Sequence, residues 1–189
     1  MRYLIISALL ITICSISCTE KLPVEGSFPD TVLTDHNGSE FKFSELKGKV
    51  VFVSYIFTNC PDICHIIGNK INILKSKLNN KGYEDKVAFV SISVDPQNDT
   101  PEVLKKHAQH MNFDLKNWYF VTGSIGSVYK LISVAGIFPM REELKNGDGY
   151  TIIHRDRVSL VDKNGQIRKH YKGTTFDYDE VTKDIESLL

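Results

Sequence analysis

Two apolar runs, at residues 50–57 and 87–94, bracket a stretch in which Ile63, Ile67, Ile71, Leu74 and Leu78 recur at helical spacing. Runs this rich in β-branched and aromatic residues, with almost no polar alternation, suit strands buried on both faces. The stripe between them suits an amphipathic helix. A strand, a helix and a second strand joined this way form a crossover unit with parallel strands, which demands a layered α/β domain with its sheet in the middle. At the junction of the first strand and the helix stands T-N-C-P-D-I-C, residues 58–64, with Cys60 and Cys64 four positions apart. On a helix, residues at i and i+4 share a face with β-carbons about 5–6 Å apart, so the two sulfurs can meet at one point. Such a pair can hold a soft metal ion or close a disulfide. The partial positive charge of a helix N-terminus is expected to lower the thiol pKa here.

The first residues bear on where this chemistry takes place. Arg2 precedes an apolar run, residues 3–13, that is too short to span a bilayer comfortably and reads as a secretory signal. It ends in Ser15-Ile16-Ser17-Cys18, similar to the lipobox of bacterial lipoproteins, with serine at 15 where leucine is usual. The expected division is a signal peptide over 1–17, a lipidated Cys18 and linker over 18–27, and a domain over 28–189. An uncleaved anchor is the alternative. Either way the domain faces out of the cytoplasm, which in a bacterium is the periplasmic side of the envelope. Cys14 leaves with the signal and Cys18 carries lipid, so Cys60 and Cys64 are the pair left for the domain. Closing so short a loop constrains the unfolded chain little, so a purely structural bridge is a poor explanation of them. A length of 189 residues allows one domain with an appendage, and 23 basic against 23 acidic residues give no electrostatic case for a nucleic-acid partner.

Along the rest of the chain, Asp35-His36-Asn37-Gly38 predicts a hairpin that opens the domain, with His36 solvated in its turn. Thr100 before Pro101 predicts an N-cap with proline at the first helical position; on that helix His107 and His110 are expected on an exposed polar face. Residues 118–122 read as a strand, and Ile125, Val128, Leu131, Ile132 and Ala135 as a short helix closed by Gly136. Residues 139–149 read as a surface loop. Strands at 150–153 and 158–161 are separated by His154-Arg155-Asp156-Arg157. Asn164-Gly165 predicts a second hairpin, and a final helix carries Tyr178, Val181, Ile185 and Leu188 on one face. A cysteine pair between a central strand and its helix, in this order of elements, is the thioredoxin-like arrangement: a central mixed sheet flanked by helices, with an N-terminal hairpin.

From about residue 27 to the end the sequence resembles the Sco, or SenC, family of copper chaperones that assist assembly of the binuclear copper site of cytochrome c oxidase. Four stretches carry the resemblance: T-N-C-P-D-I-C at 58–64, V-D-P-x-x-D-T-P at 94–101, N-W-Y-F-V-T-G at 117–123 and H-R-D-R-V-S-L-V-D-K-N-G at 154–165. It implies copper ligation by Cys60, Cys64 and His154, copper donors and an oxidase copper-site subunit as partners, and a lipid anchor in the membrane. Two thiolates and an imidazole suit Cu(I), although zinc is chemically possible, and copper loading should require the cysteines to be reduced first. The rival reading is a thiol–disulfide oxidoreductase with Cys60 and Cys64 as its redox pair. Against it, three residues separate the cysteines instead of two, and no proline follows Pro139 to supply the cis-proline such enzymes place opposite their cysteines. A redox or copper sensor uses the same residues and is not separable at this level. His65 stands where many family members have proline. It points about 100° around the helix from Cys64, at the rim, as a candidate auxiliary or hand-off ligand. Asp62 reads as a helix-start carboxylate with no direct role.

Overall fold

The computed structural model describes residues 22–60, 63–145 and 149–189. The signal segment, Cys18, Pro61 and Asp62 lie outside these residues. Among the described residues no helix is long and apolar enough to cross a membrane.

The chain opens with three short strands, β1 (Gly26–Ser27), β2 (Leu33–Asp35) and β3 (Glu40–Phe41), then a 3-10 turn at Phe43–Leu46. The crossover unit follows as β4 (Val50–Ile56), α1 (Ile63–Asn80) and β5 (Val87–Ser93). Next come α2 (Pro101–His110), β6 (Trp118–Thr122), α3 (Ile125–Ser133), β7 (Met140–Glu143), β8 (Tyr150–Ile153), β9 (Val158–Val161), β10 (Gln166–Tyr171) and α4 (Tyr178–Leu188). Eight strands form one mixed sheet in the order β1-β10-β9-β4-β5-β6-β2-β3, and β7 with β8 form a separate two-stranded ribbon. β4 runs parallel to β5, and β5 to β6, while β9 lies antiparallel on the other side of β4.

All seven residues of β4 and all seven of β5 are buried, as their unalternating composition requires. Ile67, Ile71, Leu74 and Leu78 of α1 are buried with them. Against the same core Phe113, Trp118 and Phe120 stack, the Phe113 and Trp118 rings 4.7 Å apart. Gly68, one turn after Cys64, makes room for that stack: a β-carbon there would fall 2.7 Å from Cζ of Phe113. Thr100 caps α2 by accepting from the Val103 amide, with Pro101 at the first helical position, and Gly136 ends the α3 region at φ +67°.

Three local expectations change. His36 is buried, not solvated, because its Nδ1 accepts from the Phe120 amide of β6 at 3.3 Å, holding the hairpin onto the sheet. Part of the 139–149 stretch is a strand: β7 pairs with β8 in register from Met140 opposite Ile153 to Glu143 opposite Tyr150. All four β7 residues are exposed, so burial writes no alternation into its sequence. Residues 22–27, expected to be tether, are held down. β1 pairs with β10, and buried Arg168 donates to the carbonyls of Leu22 and Pro23 while ion-pairing with Asp162 at 2.8 Å.

Candidate metal centre

Cys60 ends the turn after β4, its amide donating to the Phe57 carbonyl at 3.2 Å, and Cys64 is the second described residue of α1. Both are buried, and no disulfide joins them. The Cys64 thiol is hydrogen-bonded to Cys60, and this contact, followed by burial, pushes its pKa up. The Phe57 amide at the Cys64 sulfur works the other way and does not prevail. The expected lowering of this thiol by the helix N-terminus is therefore overturned: a buried thiol sharing its proton with a second one gains less from half a helix charge than it loses by desolvation.

A carboxylate the sequence motif contains, but to which local patterning assigns no role, fixes the cysteine turn. Asp99 is 1 % exposed and accepts at 2.6 Å from Thr58 Oγ1 and at 2.6 Å from Ser93 Oγ, with the Thr58 amide at 3.3 Å. It clamps the residue two before Cys60 to the end of β5. Burial holds its carboxyl above the usual carboxylate range despite these donors. Asp95, also buried, accepts from Asn98 Nδ2 at 3.0 and 3.1 Å and from the Tyr150 hydroxyl at the start of β8. The Tyr150 phenol is pushed up to about 12, by burial first and by the Asp95 hydrogen bond second. The V-D-P-x-x-D-T-P stretch thus has a physical role: Asp99 holds the cysteine turn, and Asp95 holds the ribbon that leads to His154.

His154 begins the connection from β8 to β9. Its Nδ1 lies 3.1 Å from the Arg155 carbonyl, and since a carbonyl only accepts, Nδ1 carries the proton in that bond. Nε2 is then the nitrogen with a free lone pair in the neutral ring, and it is buried without a hydrogen-bond partner. Burial lowers the His154 pKa, which keeps the ring neutral. A histidine ligand has this arrangement: one nitrogen fixed by a carbonyl, the other unprotonated. The same connection is anchored further on. Asp156 accepts from the Thr174 hydroxyl at 2.6 Å and its amide at 3.1 Å, and Arg157 donates to the Ala135 carbonyl at 2.7 Å. His154 also borders a shallow hollow of about 400 Å³ rimmed by Phe138, Met140 and Ile153, all three exposed.

The structure brings Cys60 and Cys64 together. It does not bring His154 into one cluster with them, for among the described residues no three His, Cys, Asp or Glu side chains stand close enough to hold a metal ion. His107 is not on an open polar face as expected. It is half-buried beside His65, with ring centroids 5.9 Å apart, and burial followed by the neighbouring His65 lowers its pKa. His110 is exposed.

The SCO1/SenC family model matches residues 18–189. The chain belongs to the SCO1/SenC family. A relative from Bacillus subtilis strain 168, a SCO1 protein homolog, is 30% identical over 168 residues, covering 88% of this chain and 85% of the relative. Among solved structures, Bradyrhizobium japonicum ScoI with copper bound superimposes with a TM-score of 0.74 at 27% identity, covering 86% of this chain and 99% of that one. BsSco, in which a disulfide switch was identified and which is described as a member of the Sco family of cytochrome c oxidase assembly proteins, gives 0.74 at 29% identity, covering 88% and 95%. This SCO1/SenC chain shares with those structures a thioredoxin-like α/β fold with a mixed sheet.

Proposed function

We propose that this protein is a copper chaperone of the bacterial cell envelope, anchored in the membrane through lipid on Cys18 with its domain facing the periplasm, and that it supports copper-site assembly of cytochrome c oxidase. Copper is its cargo. Cys60, Cys64 and His154 hold the ion. The observation that carries the reading is the match between donor chemistry and local geometry. Two thiols share one point at the start of α1, and one imidazole keeps a buried, unpartnered Nε2 on the connection that Tyr150 and Asp156 position. Two thiolates with one imidazole are a soft donor set that favours Cu(I). Both thiols must lose their protons when the ion binds, so binding strengthens as pH rises, the more so because the Cys64 pKa is raised. His154 approaches from the ribbon side, which makes it the ligand that can engage and leave while the cysteine pair keeps its place.

Anaerobic Cu(I) titration against a chromogenic chelator tests the reading. One tight equivalent should disappear in Cys60→Ser and Cys64→Ser and weaken by ten-fold or more in His154→Ala. Unchanged affinity in all three variants would sink it. Intact mass of membrane-extracted protein tests the anchor, since a mature chain that starts elsewhere or lacks acyl mass excludes lipidated Cys18.

One observation favours a second reading. The two thiols already touch, so loss of two electrons and two protons to an acceptor disulfide closes a Cys60–Cys64 bridge with little rearrangement. A thiol–disulfide oxidoreductase, supplied with an excess of a small dithiol to restore Cys60 and Cys64 after each cycle, would turn over repeatedly with an oxidised oxidase fragment and transfer no copper; the chaperone would transfer copper stoichiometrically.

A further inference from the structure

Beside the cysteine pair stands a second group of soft donors. His65 follows Cys64 directly on α1, and its Nδ1 lies 3.1 Å from the sulfur of Met111, the residue that caps the C-terminus of α2. The His107 ring of α2 lies beside the His65 ring at 5.9 Å between centroids and 39° between planes, and 6.4 Å from the Phe120 ring. All three side chains are half-buried, so the group opens to solvent at the rim of the site. Among the described residues neither ring is hydrogen-bonded or ion-paired to a carboxylate.

We infer that His65, Met111 and His107 form an auxiliary Cu(I) site that receives the ion before it passes to the cysteines. The chemistry selects the ion. A thioether is a soft ligand that binds Cu(I), while two imidazoles without a carboxylate or carbonyl neighbour offer little to magnesium or calcium. The spacing suits coordination with small movement. With metal–nitrogen and metal–sulfur lengths of about 2.0 and 2.3 Å, donors at a right angle stand about 3.0 Å apart and donors at a trigonal angle about 3.7 Å. The observed 3.1 Å between Nδ1 and sulfur lies in that interval. Packing alone accounts poorly for the arrangement, because a weak hydrogen bond to a thioether is small return for bringing two tilted imidazoles together beside it.

The place of the group gives it a role. Because His65 and Cys64 are neighbours in the chain, an ion held by His65 starts one residue from the thiols along α1 and reaches them by ligand exchange with movement of the side chains that carry it. The Met111 thioether and the His65 and His107 imidazoles leave, the Cys60 and Cys64 thiolates and the His154 imidazole enter, two protons are released and copper stays Cu(I) throughout. The inference rests on the copper reading of the cysteine site for the identity of the ion, and its test separates the two.

The experiment is an anaerobic Cu(I) titration of the full chain against a chromogenic chelator, with Ag(I) as a redox-silent probe followed by the NMR shift of the Met111 methyl group. Two equivalents are expected in the wild type, the second at least ten-fold weaker. Met111→Leu conserves volume, and with His107→Gln it should abolish the second equivalent while leaving the first intact. Cys60→Ser with Cys64→Ser should do the reverse. A single equivalent in the wild type, a second equivalent unmoved by Met111→Leu, or a Met111 methyl signal that does not respond to Ag(I) would overturn the auxiliary site. A tight equivalent surviving the double cysteine variant would overturn the cysteine reading instead, with the Met111 arm still deciding this one.

Discussion

The ribbon that leads to His154 is held to the domain by little, and that makes its docking measurable. β7 is wholly exposed, and among the described residues the side chains that tie β8 to the main body include Ile152, 8 % exposed, and the Tyr150 hydroxyl on Asp95. Replacing Tyr150 by Phe keeps the ring and its place under the Arg141 guanidinium, 3.6 Å from the centroid, and deletes the one donor. A hydrogen bond to a charged acceptor contributes about 1.5–3 kcal/mol, and because Asp95 keeps two contacts from Asn98 the lower half of that range applies, about 1.5–2 kcal/mol. A local opening equilibrium should shift by the same free energy, a factor of roughly 10 to 30. The assay is amide hydrogen exchange. Protection at β7–β8 amides should fall by that factor in Tyr150→Phe, while β4 and β5 amides keep theirs. Cu(I) affinity should fall by no more than the same factor, because the ribbon's lost docking is the largest penalty His154 can incur. Unchanged ribbon protection would refute the tether, and equal loss across β4 and β5 would show that the bond serves global stability instead.

Two further perturbations test the frame around the site. His170 bonds through Nδ1 to Ser159 Oγ at 2.8 Å, which also bonds the Tyr55 hydroxyl at 2.8 Å, and burial followed by the charges of Arg157 and Arg155 lowers its pKa from 6.5 to about 4. A histidine lowered on folding gives stability that is whole above pH 6.5 and is lost as pH falls toward 4. The full shift would correspond to about 3.4 kcal/mol, reduced to about 1.5–2 kcal/mol because the ring is partly solvated and exposed Glu25 lies 3.3 Å from Nε2. Urea midpoints at pH 7 and pH 4.5 should therefore differ less in His170→Asn than in the wild type; equal pH slopes would contradict this. At Gly173 a β-carbon would fall 2.8 Å from both Asp156 Oδ1 and Ile67 Cδ1, so Gly173→Ala should dislodge the carboxylate that anchors the His154 connection and cost about 1–3 kcal/mol. In a thermal scan that is a drop in Tm of roughly 2–12 °C, and a Tm within a degree of the wild type would count against the packing argument.

The elements legible from the sequence are those whose period is local. The β4–α1–β5 crossover, both Asn-Gly hairpins, the Thr100 and Pro101 helix start and the final helix each follow from patterns within a dozen or so residues. What the patterns miss is carried by contacts between residues far apart in the chain. His36 looks like a turn residue until the Phe120 amide, 84 positions on, supplies its partner. β7 has no inward face, so pairing with β8 alone makes it a strand. Asp95 and Asp99 read locally as turn and cap-region residues, and their work depends on Tyr150 and Thr58.

The candidate site divides along the same line. Cys60 and Cys64 are four positions apart at a strand–helix junction, Cys60 in the turn after β4 and Cys64 on α1, so closeness in the sequence is enough to find the pair. His154 is joined to that pair through the ribbon, Tyr150 and Asp156, and its identification rests on the resemblance of the 154–165 stretch; spacing says nothing of its distance. A rigid pair and a separately tethered third donor have different energetics. Changes at Thr58 or Asp99 should act on both thiols at once, whereas changes at Tyr150, Asp156 or Gly173 should act on His154 and leave the thiols alone. Ion capture and ion release are then open to independent tuning, and a ligand set drawn wholly from one helix would not permit that.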